Sequence, residues 1–292
     1  MVNYSIKDLE KITGIKAHTI RIWEKRYGIL KPLRTKTNIR FYSDQDLRLL
    51  MNIAVLNKHG YKISSLNNMS DDEVAKSVLD ISHAEKNQTY NVDQLIIALL
   101  ELDEAGFNRS INAAIASSDF ENVFEYLIPQ FLEKVGILWQ TGSVSPAQEH
   151  FMSNLIRQKL IAATDHLDYP NKRTASFMLF LPEQEYHEIA LLYFQYIIRK
   201  EGFSVFYLGQ NVSLTHLNDA YLLNPVDYLL TSITSPVSPD KLAIFISSLL
   251  SIHGKKPVLI GGNMFKDRPT FFPDNFHYLD TIQMLKQFLR EI

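Results

Sequence analysis

The chain has 292 residues, of which 46% are hydrophobic and 21% are charged, and its formal net charge at pH 7 is −2. This length predicts two or three domains, and the composition is that of a globular protein with a sizeable core. The lack of cysteine excludes disulfides and thiolate metal sites, so histidine and carboxylate side chains remain as metal ligands. No apolar run approaches the roughly 18 residues of a membrane span, and the first residues show no signal pattern, so we expect a cytoplasmic protein.

The charge is unevenly distributed along the chain. Residues 1–66 contain thirteen Lys and Arg against five Asp and Glu, a balance of +8, whereas the remainder has a balance of −10. A small basic head on an acidic body indicates that the head binds a polyanion. A solvated basic surface would carry the same charge, so the motifs have to decide between the two interpretations.

The basic head begins with two short predicted helices. Ser5 and Asp8 form a capping-box pattern at the start of the first helix, and Gly14 is placed to end it. The second helix ends at Gly28, and its apolar residues, such as Ile20, are expected to pack inward. Two short helices joined by a tight turn are typical of a helix-turn-helix.

A β-wing and two further helices are predicted after this pair. Alternating residues over 30–43 indicate two strands with a turn near residues 36–38. Capping patterns at Ser43 and Ser70 then begin a longer helix and a short one. The head therefore reads as a winged helix-turn-helix.

Residues 4–50 strongly resemble the winged-helix DNA-binding domain of the MerR family of transcriptional regulators, through the second helix, the Arg-Tyr-Gly turn and the arginine and tyrosine of the wing. The resemblance implies that the polyanion is double-stranded DNA. It assigns three residues to the major groove, two to the backbone and five, on the wing, to phosphates or the minor groove. In that order they are Thr19, Arg21, Lys25, Arg26, Tyr27, Arg34, Thr37, Asn38, Arg40 and Tyr42.

Helical patterns fill the middle of the chain. Three stretches between residues 88 and 168 carry an apolar stripe at helical spacing, which predicts a helical bundle. Trp139 lies near the end of one stretch, and Glu149 and His150 follow it after nine intervening residues. An alternative interpretation is that Trp139 is an ordinary core residue, since tryptophan on an amphipathic helix is often buried in the core.

From residue 174 onward, strand and helix patterns alternate, which predicts βαβ units and a parallel sheet. Three strands are followed by the polar loops PEQEYHE (182–188), TSITSPVS (231–238) and GGNMF (261–265). The carboxyl ends of parallel strands share one edge, so these loops are expected to line one crevice. A further short strand is predicted at residues 276–279.

These three loops resemble the cobalamin-binding domain shared by methionine synthase, methylmalonyl-CoA mutase and light-responsive MerR regulators. That family's pattern is Asp-x-His-x-x-Gly, then Ser-x-Leu or Ser-x-Thr, then Gly-Gly. The matching residues here are Glu185, His187, Ser232, Thr234, Gly261 and Gly262. The resemblance implies that the histidine ligates cobalt from below, that the glutamate orients its imidazole, and that the other two motifs make room for the nucleotide tail.

One alternative interpretation of His187 and one departure from the family pattern bear on this site. His187 is also interpretable as a polar residue that opens the following helix. Ala190 stands where the family has glycine, which adds a methyl group on the corrin side of the loop.

Trp139, Glu149 and His150 match a Trp-nine-Glu-His motif of the light-responsive regulators, where a four-helix bundle covers the upper, adenosyl face of the cofactor. By resemblance, these three residues belong to the cofactor site. Light-sensing members carry a second histidine directly after the tryptophan, but this chain has Gln140 there. With Gln140 there, we expect the illuminated form to carry water or a weak ligand on its upper face.

Over nearly its whole length the chain resembles the CarH/LitR photoreceptor regulators. The expected fold is a winged helix-turn-helix (1–75), a linker and four-helix bundle (76–172) and an α/β flavodoxin-like, Rossmann-like parallel sheet (173–292). The expected function is that of a repressor, a dimer or tetramer, controlled by adenosylcobalamin and light. One alternative is a regulator whose degenerate cobalamin domain is a cofactor-free oligomerisation or partner-binding module. A cobalamin-dependent enzyme is disfavoured, because the chain has no room for a substrate domain.

Overall fold

A computed structural model of the chain shows two compact units, Met1–Met152 and Ser153–Ile292. The residues that it describes are 4–30, 32–34, 38–58, 60–70, 73–74, 76–77, 88–140, 144–168, 174–265 and 272–292. The two units divide within one long helix, Pro146–Asp165. The predicted domain boundaries at residues 75 and 172 therefore stay a prediction.

The head of the first unit is a helix-turn-helix with a short wing. Its elements are α1 (Ile6–Thr13), α2 (Ala17–Tyr27), β1 (Leu33–Arg34), β2 (Arg40–Phe41), α3 (Asp44–Lys58) and α4 (Ile63–Leu66). The predicted capping box is present, because the hydroxyl of Ser5 accepts the amide of Asp8 and the carboxylate of Asp8 accepts the amide of Ser5. Left-handed Gly14 and Gly28 end α1 and α2, as their positions predict.

The wing is tied to the start of the chain. β1 and β2 pair antiparallel, with Leu33 opposite Phe41. Directly after β2, Tyr42 exchanges two backbone hydrogen bonds of 2.9 Å with Tyr4. Both tyrosines are fully buried, together with apolar side chains of α1, α2 and α3. The tyrosine that ends the wing is thus part of the core of the head.

The rest of the first unit is helical. Its elements are α5 (Gln88–Glu101), α6 (Glu104–Ser117), α7 (Phe120–Asn122), a π-helical stretch (Val123–Leu127), α8 (Ile128–Gln140) and the start of α9 (Pro146–Asp165). The four longer helices, α5, α6, α8 and α9, each bury an apolar stripe, and an ion pair of 2.6 Å between Lys134 and Asp93 joins α8 to α5. The predicted helical bundle is confirmed.

The second unit contains a five-stranded parallel sheet. Its strands are β3 (Ser176–Pro182), β4 (Ser204–Val212), β5 (Tyr228–Ser232), β6 (Val258–Gly261) and β7 (Phe276–Leu279), in the order β4-β3-β5-β6-β7. The helices between and after them are α10 (Ile189–Lys200), α11 (Leu214–Leu223), α12 (Pro239–His253) and α13 (Ile282–Glu291). This is the flavodoxin-like strand order, and the predicted strand at residues 276–279 is its last member.

The strand order determines where this sheet can bind a ligand. β3 is buried over residues 177–181 as one continuous apolar run, as expected of a central parallel strand covered on both faces. The chain runs from β3 to β4, which lies on one side of β3, and then crosses to β5 on the other side. The strand order therefore reverses between β3 and β5. In open parallel sheets the crevice for a ligand lies at this switch point, outside the carboxyl ends of the strands.

Within the described part of the chain, no helix is long and apolar enough to cross a membrane.

Candidate functional site

The loops after β3 and β5 are joined by one buried carboxylate. Glu185 lies in the loop after β3, and its side chain is 3% exposed. One of its oxygens, Oε1, accepts the backbone amides of Tyr186 and His187 at 3.0 and 3.1 Å. The other, Oε2, accepts the amides of Thr234 and Ser235 in the loop after β5, each at 2.8 Å. The carboxylate therefore holds both loops of the switch point in one arrangement.

These hydrogen bonds keep the carboxylate charged. Burial alone would raise the pKa of Glu185, but donation by the Ser235 amide, by the ring and amide of His187 and by the Thr234 amide outweighs it. The result is a pKa lowered from 4.5 to about 2. Glu185 is thus an anion throughout the physiological pH range.

This anion fixes the imidazole of His187. Nδ1 of His187 lies 2.5 Å from Oε1 of Glu185 and 3.5 Å from Oγ of Ser235, while 62% of the histidine side chain is exposed. An anionic acceptor requires the proton on Nδ1, so Nε2 has its lone pair available. A histidine whose Nδ1 is held by a carboxylate is the usual arrangement of a metal-ligating imidazole.

The alternative interpretation of His187, a residue that opens the following helix, does not match the geometry. The N-cap of α10 is Glu188, and no side chain makes a capping hydrogen bond there. Ala190 is exposed in the first turn of α10.

The two other loop motifs also meet at this edge. Ser232, at the end of β5, is buried and lies in register with Gly261, and Thr234 contributes its amide to Glu185. Gly262 has a φ of +109°, and a Cβ built there would lie 2.1 Å from the carbonyl oxygen of Ile233. The space at Gly262 is thus filled by protein backbone, so in this structure the glycine serves the packing of the two loops.

A buried charge network beside His187 was not predicted. Glu188 accepts a hydrogen bond of 2.9 Å from the hydroxyl of Tyr207 on β4, and it forms an ion pair of 2.7 Å with Arg157 on α9. Burial and the neighbouring anion raise the pKa of Tyr207. The sequence contained only a weak signal for this network, a second glutamate directly after the histidine, because its partners lie far apart along the chain.

The donor set suits a metal that brings most of its own ligands. Among the residues that the structure describes, no group of three or more His, Cys, Asp or Glu side chains is placed to hold a metal ion. A corrin already surrounds its cobalt and needs one protein ligand, which the Nε2 of His187 can supply. The residues of this edge therefore fit a corrinoid better than a bare ion.

In the first unit, the tryptophan of the middle region is on the surface. Trp139 lies near the end of α8 with 58% of its area exposed, which does not fit a plain core residue. Glu149 and His150 are adjacent in the first turns of α9, and the Oε2 of Glu149 lies 3.0 Å from Nδ1 of His150.

The predicted DNA-contacting side chains of α2 form an exposed basic face. Arg21, Lys25 and Arg26 are exposed, and Thr19 and Tyr27 are half-buried. The guanidinium of Arg26 lies 5.4 Å from the centre of the Tyr27 ring, close enough for a cation–π contact.

The wing residues differ in what they can reach. Arg34 donates a hydrogen bond of 2.7 Å to Asn38, and both are exposed. Arg40 donates one of 3.0 Å to Glu24 of α2 and is half-buried. Thr37 lies outside the described residues.

Tyr42 requires a correction. It was expected at the DNA surface, but its side chain is fully buried and its hydroxyl donates to Glu24 at 3.3 Å. Burial and this anion raise its pKa to about 12. The ring belongs to the core of the head, where no DNA group can reach it.

Two family models match the chain. That of the MerR HTH family regulatory protein matches residues 4–73, and that of the B12 binding domain matches residues 92–163, which span the helical bundle. A similar solved structure is that of the monomethylamine corrinoid protein of Methanosarcina barkeri, with a TM-score of 0.57 and 15% identity over 70% of this chain and all of that one. At this identity the likeness shows the fold alone.

Two relatives from Myxococcus xanthus align with most of the chain. The HTH-type transcriptional repressor CarH is 26% identical over 267 residues, 89% of this chain and 88% of the relative. The HTH-type transcriptional repressor CarA is 26% identical over 259 residues, 88% of this chain and 85% of the relative. The head and the helical bundle match the two family models, and most of the chain aligns with the two relatives. The chain therefore matches a MerR-family regulator with a cobalamin-binding domain.

Proposed function

We propose that the chain is a DNA-binding transcriptional repressor, not an enzyme, whose oligomeric state and DNA binding are controlled by adenosylcobalamin and light. The observation that carries the proposal is the presentation of His187 at the switch point of the sheet. Its Nδ1 is held by a buried anion and its Nε2 is available. As a DNA-binding regulator, the protein is expected in the cytoplasm.

On this proposal His187 ligates cobalt and Glu185 fixes the orientation and tautomer of its ring. Ser232, Thr234, Gly261 and Gly262 shape the loops around it, as the contacts at the sheet edge support. Adenosylcobalamin would supply a cobalt–carbon bond that light can break. Trp139, Glu149 and His150 are assigned to the adenosyl side by resemblance, and the exposure of the indole supports the assignment.

The head would bind an operator through nine residues: Thr19, Arg21, Lys25, Arg26, Tyr27, Arg34, Thr37, Asn38 and Arg40. One winged helix buries too little surface for tight specific binding. We therefore propose a dimer or tetramer on DNA, formed through the body of the chain.

The second candidate is a MerR-type regulator whose body binds no cofactor and serves as an oligomerisation or partner-binding module. Ala190 and Gln140, where the light-sensing regulators have glycine and histidine, favour it.

The deciding experiment is the absorbance spectrum of purified protein mixed with adenosylcobalamin in the dark and freed of unbound cofactor by gel filtration. The first candidate predicts retained cobalamin, a spectral change under green light and a change in elution volume. His187→Ala should lose retention, whereas His216→Ala, which changes an exposed histidine of α11, should keep it. If the wild type retains no cobalamin, the cofactor-free module is the correct interpretation.

A further inference from the structure

The exposed face of α2 carries an aliphatic side chain among its cations. Ile22 is 52% exposed, although α2 is short and its other isoleucine, Ile20, is fully buried. On a helix, residues three and four positions apart are surface neighbours, so His18, Lys25 and Arg26 surround Ile22. All three are exposed.

We propose that Ile22 reads a thymine by contact with its 5-methyl group in the major groove. The surrounding cations make a nucleic acid the complementary surface for this face. Phosphates form ion pairs with the cations, but they offer no apolar group against which an isoleucine side chain could pack. Among the groups that base pairs display in the major groove, the methyl of thymine is the apolar one.

This inference rests on the proposed DNA binding and adds the chemical group that one position of the operator must present. Isoleucine has no donor or acceptor, so it cannot act on the hydrogen-bonding edge of a base. It can select thymine over cytosine, and thymine over uracil, through the apolar area that a methyl group adds.

The test begins by selecting binding sites for the full-length protein from a pool of random duplexes. Each thymine of the selected site is then replaced by deoxyuridine, which removes the methyl group and leaves base pairing unchanged. We expect the wild type to bind roughly fourfold more weakly when one particular thymine of each half-site is replaced, the effect of one buried methyl group. Ile22→Ala should lose this difference and weaken binding to the thymine duplex by at least as much.

Two comparisons separate a base contact from a general effect. Ile22→Ala should leave the salt dependence of binding unchanged because no charge is removed, whereas Arg21→Ala should reduce it. Ile244→Ala, which truncates an exposed isoleucine on α12, should keep the discrimination between thymine and uracil. Circular dichroism checks that each variant is folded.

Equal binding of the wild type to thymine and deoxyuridine duplexes at every position would overturn the inference. So would an Ile22→Ala variant that keeps the difference, or a selected site without thymine. If the wild type enriches no sequence at all, the proposed function itself fails, and this outcome is recognised before any substitution is made.

Discussion

Replacement of Glu185 by glutamine should uncouple the two loops of the switch point. The substitution keeps the size of the side chain but removes the charge that accepts four backbone amides and the ring of His187. The amide nitrogen of glutamine would also face backbone N–H groups, from which it cannot accept a hydrogen bond. Both effects destabilise the second unit, because the group is buried.

The size of the effect follows from the pKa. A fall from 4.5 to about 2 on folding corresponds to about 3 kcal/mol of stability at neutral pH. Because the folded pKa is the lower one, this stability is fully present above pH 4.5 and is lost as the pH falls toward 2. At pH 3, about half of it remains.

Urea unfolding followed by circular dichroism measures this contribution. Glu185→Gln should be less stable than the wild type by about 3 kcal/mol at pH 7 and by about 1.5 kcal/mol at pH 3. Glu183→Gln, in the same loop but exposed, is the matched control and should change stability little at either pH. A difference for Glu185→Gln that is small, or that stays constant with pH, would refute the assignment of the anion as the anchor of the loops.

Four further outcomes are expected. DNA affinity should fall steeply with salt, and in gel-shift titrations Arg21→Ala should both weaken binding and relax base preference; an unchanged variant would mean that another surface binds DNA. Trp139→Ala should retain cobalamin in absorbance assays but lose its preference for the adenosyl form, and full retention of that preference would contradict the assignment. Light scattering should show a dimer or tetramer, so a monomer with and without cofactor at micromolar concentration would count against assembly. Glu188→Gln leaves Arg157 without its buried partner and should lower stability in urea by about 2 kcal/mol, less than for a fully buried pair; no loss would show that the pair is dispensable.

Local signals explain how much of the fold was predictable. These signals depend only on residues that are neighbours in the sequence. They include capping residues such as Ser5, helix-ending glycines such as Gly14, and the alternation of strand and helix patterns after residue 174. Each of these predictions is confirmed. Within the candidate site, the pairing of Glu185 with His187 was also predictable, because the two are neighbours in one loop.

The misses share a different cause. The burial of Tyr42 depends on Tyr4 and Glu24, which come from other elements of the head. The ion pair of Glu188 with Arg157 joins a loop to a helix 31 positions earlier in the chain. Such contacts are fixed by packing in three dimensions, and no spacing rule along the chain exposes them.

The close approach of the Ile233 carbonyl to Gly262 limits what the Gly-Gly motif can indicate about ligand binding. A side chain at this position is excluded by the carbonyl of Ile233, which belongs to the chain itself. A descendant protein that had lost every affinity for a corrinoid would still need the glycine to fold its sheet edge. The second glycine of the pair is therefore diagnostic of the architecture of the sheet edge and not of the ligand, whereas the exposed imidazole of His187 is the part of the motif whose role a cobalamin-retention assay can test.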